Sequence, residues 1–171
     1  MLTSLGRMTG MPVVWQDRQI GLVERAVPDA RRARLDGVIV RKGIGVARWA
    51  TVDDILLVGE RCVVLRRKPT RLPERAMGEM RRAFLTTGEC AGEVTDALLE
   101  GDTLDIPALE ICQGPLYRLM GRRAYAGSFY PSDHGEPGEV VIPTLLTWTQ
   151  LLRQLGEEDE EWESSKQPRQ E

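Results

Sequence analysis

Aliphatic residues fall in short runs along the chain, at roughly ten-residue spacing, with turn-forming residues between the runs. That pattern predicts short β-strands. Residues 12–15 read as a strand, 16–19 as a turn and 20–27 as a second strand with Gly21 just inside it. A glycine inside a strand marks a bulge or a close backbone approach. A turn is expected over 29–32, behind Pro28. A third strand follows over 34–40, where Val38 and Val40 share a face, and a fourth over 46–50. Thr51 can cap a short helical turn with Asp53 and Asp54 in its first turn, and residues 62–65 close the series.

The second half of the chain repeats this layout. Displaced by 71 residues, Gly21 falls on Gly92, Val23 on Val94, Ala26 on Ala97 and Gly43 on Gly114. The pairs Val27/Leu98, Leu35/Ile106, Val38/Leu109 and Val40/Ile111 keep aliphatic character. The glycines recur in matching roles as structural turns, which predicts an internal duplication. Strands are expected at 84–85, 93–99, 104–111, 116–125 and 139–142, with a polar loop over 127–138 that holds His134. Two helical segments complete the expectation. Pro73, Ala76, Met77, Met80 and Phe84 have the spacing of a short linker helix. Leu145, Trp148, Leu152 and Leu155 make an apolar stripe over 145–155, between Thr144 as N-cap and Gly156 as the terminating residue.

Composition narrows the class. The chain has 171 residues, 42% hydrophobic and 29% charged, which suits a globular protein and excludes whole-chain disorder. Seventeen glycines and ten prolines suit short strands and tight turns better than a helical bundle. No apolar run approaches the roughly 20 residues of a membrane span, and residues 1–10 lack the apolar core of a secretory signal. Cys62, Cys90 and Cys112 are odd in number and widely spaced, which argues against a disulfide framework or a structural zinc site. The expected compartment is the cytoplasm.

The net charge of −3 hides a segregation. Residues 157–171 hold seven acidic and two basic side chains and are expected to form a solvated, disordered tail. Residues 66–82 reverse the balance, with Arg66, Arg67, Lys68, Arg71, Arg75, Arg81 and Arg82 against Glu74 and Glu79. This basic segment is the candidate interaction site. The organisation expected is a first unit over 1–66, a basic linker over 67–82 and a second, divergent unit over 83–143. A helix over 144–156 and the acidic tail over 157–171 complete it.

Candidate chemistry is thin. His134 stands alone in a loop, and no nucleophile motif accompanies it, although Cys90, Cys112 and Ser132 are formal partners for a base. Asp53-Asp54 lacks the calcium-loop pattern and its turn glycine. Gly37, Gly43 and Gly45 lie beside Arg41 and Lys42 without the lysine-hydroxyl ending of a phosphate loop. No catalytic residue, cofactor site or metal site is expected.

Gly10 to Val14, Gln19 to Val23, Leu35 to Val40, Trp49, Asp54-Ile55 and Gly59-Glu60 resemble the PRC-barrel family, as do Gly92 to Ala97 and Ile106 to Ile111 in the second half. That family is named for the cytoplasmic domain of the photosynthetic reaction-centre H subunit. It includes the C-terminal domain of a ribosome maturation factor and many small stand-alone proteins. The resemblance implies a mainly β chain of two tandem small antiparallel barrels, used as an assembly surface with no shared active site. The absence of a preceding membrane helix separates the chain from the H subunit, and the absence of an aromatic, Asp-containing barrel entry separates it from the maturation factor. The function expected is protein–protein adaptor or scaffold. The alternative is an RNA- or ribosome-associated accessory protein that uses the basic linker to neutralise phosphates.

Overall fold

A computed structural model describes residues 1–74 and 78–156. Arg75, Ala76 and Met77, and the acidic tail over 157–171, lie outside the described residues. The chain is mainly β. In order it forms β1 (Leu2–Ser4), α1 (Leu5–Met8), β2 (Pro12–Trp15), β3 (Arg18–Asp29), β4 (Arg34–Arg41) and β5 (Arg48–Thr51). A 3-10 turn (Val52–Asp54) leads to β6 (Ile55–Val58), β7 (Val63–Leu65) and β8 (Thr70–Arg71). Then come β9 (Arg82–Leu85), β10 (Cys90–Glu100), β11 (Ala108–Cys112) and α2 (Pro115–Leu119). The chain ends in β12 (Ala124–Ala126), β13 (Tyr130–Pro131), β14 (Glu139–Ile142) and α3 (Trp148–Leu155).

These strands make two sheets built on one plan. The first runs β6-β7-β2-β3-β4-β5-β8 and the second β13-β14-β9-β10-β11-β12, with β1 added against β10. Register matches as well as order. Val23 faces Val40 and Ala26 faces Val38, while Val94 faces Ile111 and Ala97 faces Leu109. Both long strands carry a bulge at the same place, between Val23 and Arg25 and between Val94 and Asp96. The first hairpin turns on Gln16 and Asp17, both with positive φ, as a tight two-residue hairpin requires. Asp29 shapes the next turn by accepting from the backbone N–H groups of Arg31 and Arg32.

The sheets are mixed, not antiparallel as expected, and one curls into a half-barrel. In each, a late strand returns to lie parallel to an early one: β7 along β2 and β14 along β9. A parallel neighbour needs a long crossover. The connections through β5, β6, β12 and β13 supply it, and this return curls the sheet without a tight turn.

The two sheets meet across reciprocal backbone bonds. The N–H of Leu35 donates to Leu104 O at 2.8 Å, and that of Ile106 donates to Ala33 O at 2.7 Å. Between these bonds, Arg34 bridges Asp105. The two bonds are 71-residue counterparts of each other, and Arg34 and Asp105 are themselves 71 residues apart, so the seam has an approximate two-fold relation. Ala33 and Leu104 are also matched in backbone, with φ of +48° and +62°. One apolar core runs through both sheets, from Val13, Val38 and Val63 to Leu99, Leu109 and Ile142. Fully enclosing an aliphatic side chain of this kind stabilises the fold by about 1.5–3 kcal/mol.

The lead-in segments cross this seam. β1 pairs with Leu98–Glu100 of the second sheet, although it belongs to the 1–66 stretch expected to form the first unit. Conversely, Gly78, ahead of β9, lies so close to the first sheet that a Cβ there would stand 2.6 Å from Pro28 O. Asp96 anchors the first lead-in by accepting from Ser4 Oγ at 2.5 Å and from the Gly6 N–H at 3.0 Å. Asp96→Ala should lower stability by about 1–3 kcal/mol and raise amide exchange at Thr3 and Ser4 selectively. Unchanged protection there would show that packing alone holds the segment.

Helical expectations shift. Met80 lies outside any helix and Phe84 lies in β9, so the linker helix is not formed at either; β9 recruits this apolar run because β10 and β14 flank it. Residues 116–125, expected as a strand, start as α2, because Pro115 occupies a first helical position and cannot donate to a ladder. The expected strand over 46–50 begins at Arg48 and that over 104–111 at Ala108. The C-terminal helix starts three residues later than expected. Thr147 caps it by accepting from the Gln150 N–H, Gln150 reciprocates on the Thr147 N–H, and Gly156 ends it in the left-handed region. Leu151, outside the expected stripe, is its fully buried residue, and Trp148 stays 44% exposed.

Candidate interaction surface

The basic residues singled out by sequence do not converge on one strip. Arg66 and Arg67 follow β7, and Arg67 stands 3.8 Å from Asp54. Asp54 is buried and is shared with the backbone and hydroxyl of Thr51, as the expected capped turn requires. Lys68 is exposed in the following link, and Arg71, on β8, sits across from Arg48 at an edge of the first sheet. Arg81 and Arg82 belong with the second sheet, where Arg82 lies between Glu93 and Glu139. Arg75 is outside the described residues. The chain between β7 and β9 thus distributes its charge over different strands.

The four singled-out glycines have two different roles. Gly21 and Gly92 are close-approach positions, where an added Cβ would stand 2.8 Å from Arg41 O and 2.4 Å from Cys112 O. Gly43 and Gly114 face open space at the head of two equivalent connections, β4 to β5 and β11 to β12.

Those connections carry the feature that sequence reasoning missed. In the first, Ile44 and Val46 are turned fully outward. In the second, α2 and the residue after it leave Leu116 65%, Leu119 86% and Met120 57% exposed, with Tyr117 beside them. Isolated apolar residues on a surface are ordinary, but contiguous ones mark contact sites. The surround is basic. Arg118 bonds Glu93 at 3.0 Å, Arg123 bonds Glu110 at 2.8 Å, and Arg122 is exposed with no ion pair among the described residues. Around the first connection, Arg41 clasps Glu24 through two nitrogens and reaches Gly45 O. The guanidinium hydrogen bond holds the Glu24 carboxyl below the usual range.

Beside α2 opens a cleft of about 320 Å³. Tyr117, Arg122 and Arg123 form one wall, and Leu145, Leu146 and the first turn of α3 the other. Tyr125 fixes that second wall: its backbone pairs with Leu146, and its ring meets Trp148 at 5.1 Å. Burial, then the nearby Glu110 carboxylate, raises the Tyr125 hydroxyl above its ordinary value.

A second cleft, of about 290 Å³, lies on the seam between β3 and β10 under the two lead-ins. Glu79 spans it, bonded to Arg81 at 2.6 Å and Arg25 at 2.7 Å. Arg81 contributes most to holding its carboxyl below the ordinary 4.5. A depressed carboxylate stabilises above its unfolded pKa and loses that contribution as pH falls through the folded value, so this tie weakens on acidification below about pH 4.5.

Among the described residues no cluster of metal-ligating side chains occurs, and no helix is long and apolar enough to cross a membrane. His134 is exposed in the loop between β13 and β14. Cys112 is buried, Cys62 half-buried and Cys90 exposed, each as a free thiol. No protein-family model matches this chain, and no curated protein does.

Proposed function

We propose that the chain is a cytoplasmic, non-enzymatic adaptor made of two PRC-like barrel units in tandem, which offers the α2 face to a protein partner. The shared strand order, register and bulge of the two sheets support the tandem reading. The observation that carries the function is the exposed apolar group Leu116, Leu119 and Met120 within an arginine surround. Apolar anchors ringed by polar groups are how a few residues supply most of an interface's affinity. The sheets contribute rigidity, so that the connections are presented without ordering cost.

The test compares the native chain with Leu119→Asp, Met120→Asp as bait in nuclease-treated lysate. A stoichiometric protein should bind the native chain and bind the variant at least about tenfold more weakly. Equal recovery by both baits sinks the assignment of this face. The RNA- or ribosome-associated alternative rests on Arg66, Arg67 and Lys68. It predicts a log affinity for RNA that falls linearly with log salt, with a slope reduced in Arg66→Ala, Arg67→Ala, Lys68→Ala. The adaptor reading expects no such change.

A further inference from the structure

We infer that the β4–β5 connection is a membrane-contact finger, which sets Ile44 and Val46 into the surface of an anionic lipid bilayer and Lys42, Arg48 and Arg71 against its phosphates. This goes beyond the adaptor reading, which concerns the equivalent connection of the other sheet.

The turn is built to hold an aliphatic side chain away from the protein. The Gly45 N–H donates to Lys42 O at 3.0 Å, which closes a β-turn with Gly43 and Ile44 at its centre. Gly43, with φ of +55°, takes the left-handed position that such a turn requires. Arg41 ties down the base, since the guanidinium that clasps Glu24 also donates to Gly45 O at 3.0 Å. At the other end, Ala47 packs against Val27, Ile39 and Trp49. Ile44 and Val46, between these anchors, stand outside the core.

The collar around them is cationic and unneutralised. Arg48, the first residue of β5, faces Val40 on β4 and Arg71 on β8. Arg41 and Lys42 follow Val40 directly, so Lys42, Arg48 and Arg71 gather at the end of the strands that carries the turn. All three are exposed, and none has an ion pair among the described residues. Glu24, on β3, is already engaged by Arg41. Like charges directly opposite each other destabilise a sheet, so Arg48 against Arg71 is a pairing that an external anion relieves.

A bilayer suits this combination better than another macromolecule does. Aliphatic side chains enter the boundary between headgroups and acyl chains, while lysine and arginine stems reach back to the phosphates. No shape-matched pocket is needed. RNA would engage the cations and leave Ile44 and Val46 in water, and residues 41–48 hold no aromatic ring for base stacking. Protein hot spots are enriched in tryptophan and tyrosine, which the connection also lacks. Each cation held at an anionic leaflet strengthens attachment by about fivefold, so three give on the order of a hundredfold over a neutral bilayer.

The test is cosedimentation of the full chain with vesicles of phosphatidylglycerol and phosphatidylcholine, and with phosphatidylcholine alone. The native chain should partition on the order of a hundredfold more strongly onto the anionic vesicles, and the excess should fall as salt is raised. Ile44→Asp, Val46→Asp and, separately, Lys42→Gln, Arg71→Gln should each weaken that partition at least about tenfold and keep the native melting temperature. Leu119→Asp, Met120→Asp should leave it unchanged. No attachment of the native chain, equal attachment to both vesicles, or indifference to either pair of substitutions on the finger overturns the proposal. An equal loss in Leu119→Asp, Met120→Asp places the contact on the α2 face and overturns it too. Binding to polyuridylate that Lys42→Gln, Arg71→Gln weakens, without vesicle attachment, assigns the cations to RNA instead. The adaptor reading fails separately, if Leu119→Asp, Met120→Asp leaves partner recovery unchanged while the vesicle attachment stands.

Discussion

Gly92→Ala should lower the melting temperature by about 5–15 °C in a calorimetric or circular-dichroism scan. Two costs combine at this position. The backbone there has φ of +143°, and an added Cβ would meet Cys112 O at 2.4 Å. Holding a residue with a side chain in that region costs about 1–3 kcal/mol, and relieving the contact by moving β10 from β11 costs about 1–3 kcal/mol more. The counterpart Gly21→Ala meets Arg41 O at the looser 2.8 Å without the left-handed backbone. It should therefore cost roughly half as much, about 1–3 kcal/mol. Equal losses at the two positions would show that the two matched glycines are not under different strain.

Leu35→Ala is the second large effect, with an expected loss of about 2–5 kcal/mol in urea unfolding. Leu35 is fully enclosed, and its backbone N–H makes the bond to Leu104 O across the seam. The cavity would open in the shared core. Protection of slowly exchanging amides in β4 and in β11 should therefore fall together, because both sheets unfold in one transition. Loss confined to the first sheet, with Leu109 and Ile111 unaffected, would show two bodies that unfold separately.

Local signals explain what was legible. The hairpin strands and the glycines inside them lie within neighbouring stretches of chain, where alternation and turn residues speak directly, and the 71-residue correspondence follows from comparing two such local patterns. Two helix starts were also written locally and misread. Gly114-Pro115 places proline at a first helical position, and Thr147-Trp148-Thr149-Gln150 is a reciprocal cap. The parallel return of β7 to β2 and the crossing of β1 to β10 depend on partners far along the chain, for which no short pattern exists. The basic run misled for a related reason. Neighbours in sequence from Arg66 to Arg82 are dispatched to separate strands. The apolar group on α2 went unseen because Leu116, Tyr117, Leu119 and Met120 look like strand residues until a helix turns them outward.

The bridge between Arg34 and Asp105 carries a further consequence. In an assembly of two identical chains, the residue nearest a two-fold axis faces its own copy, so an arginine there meets an arginine and an aspartate an aspartate. Joining both halves in one polypeptide lifts that constraint, since the two positions can then diverge independently. Here they have diverged to opposite sign. The backbone bridge therefore joins two unlike residues, a pairing that a two-fold assembly of one repeated half could not present at its axis.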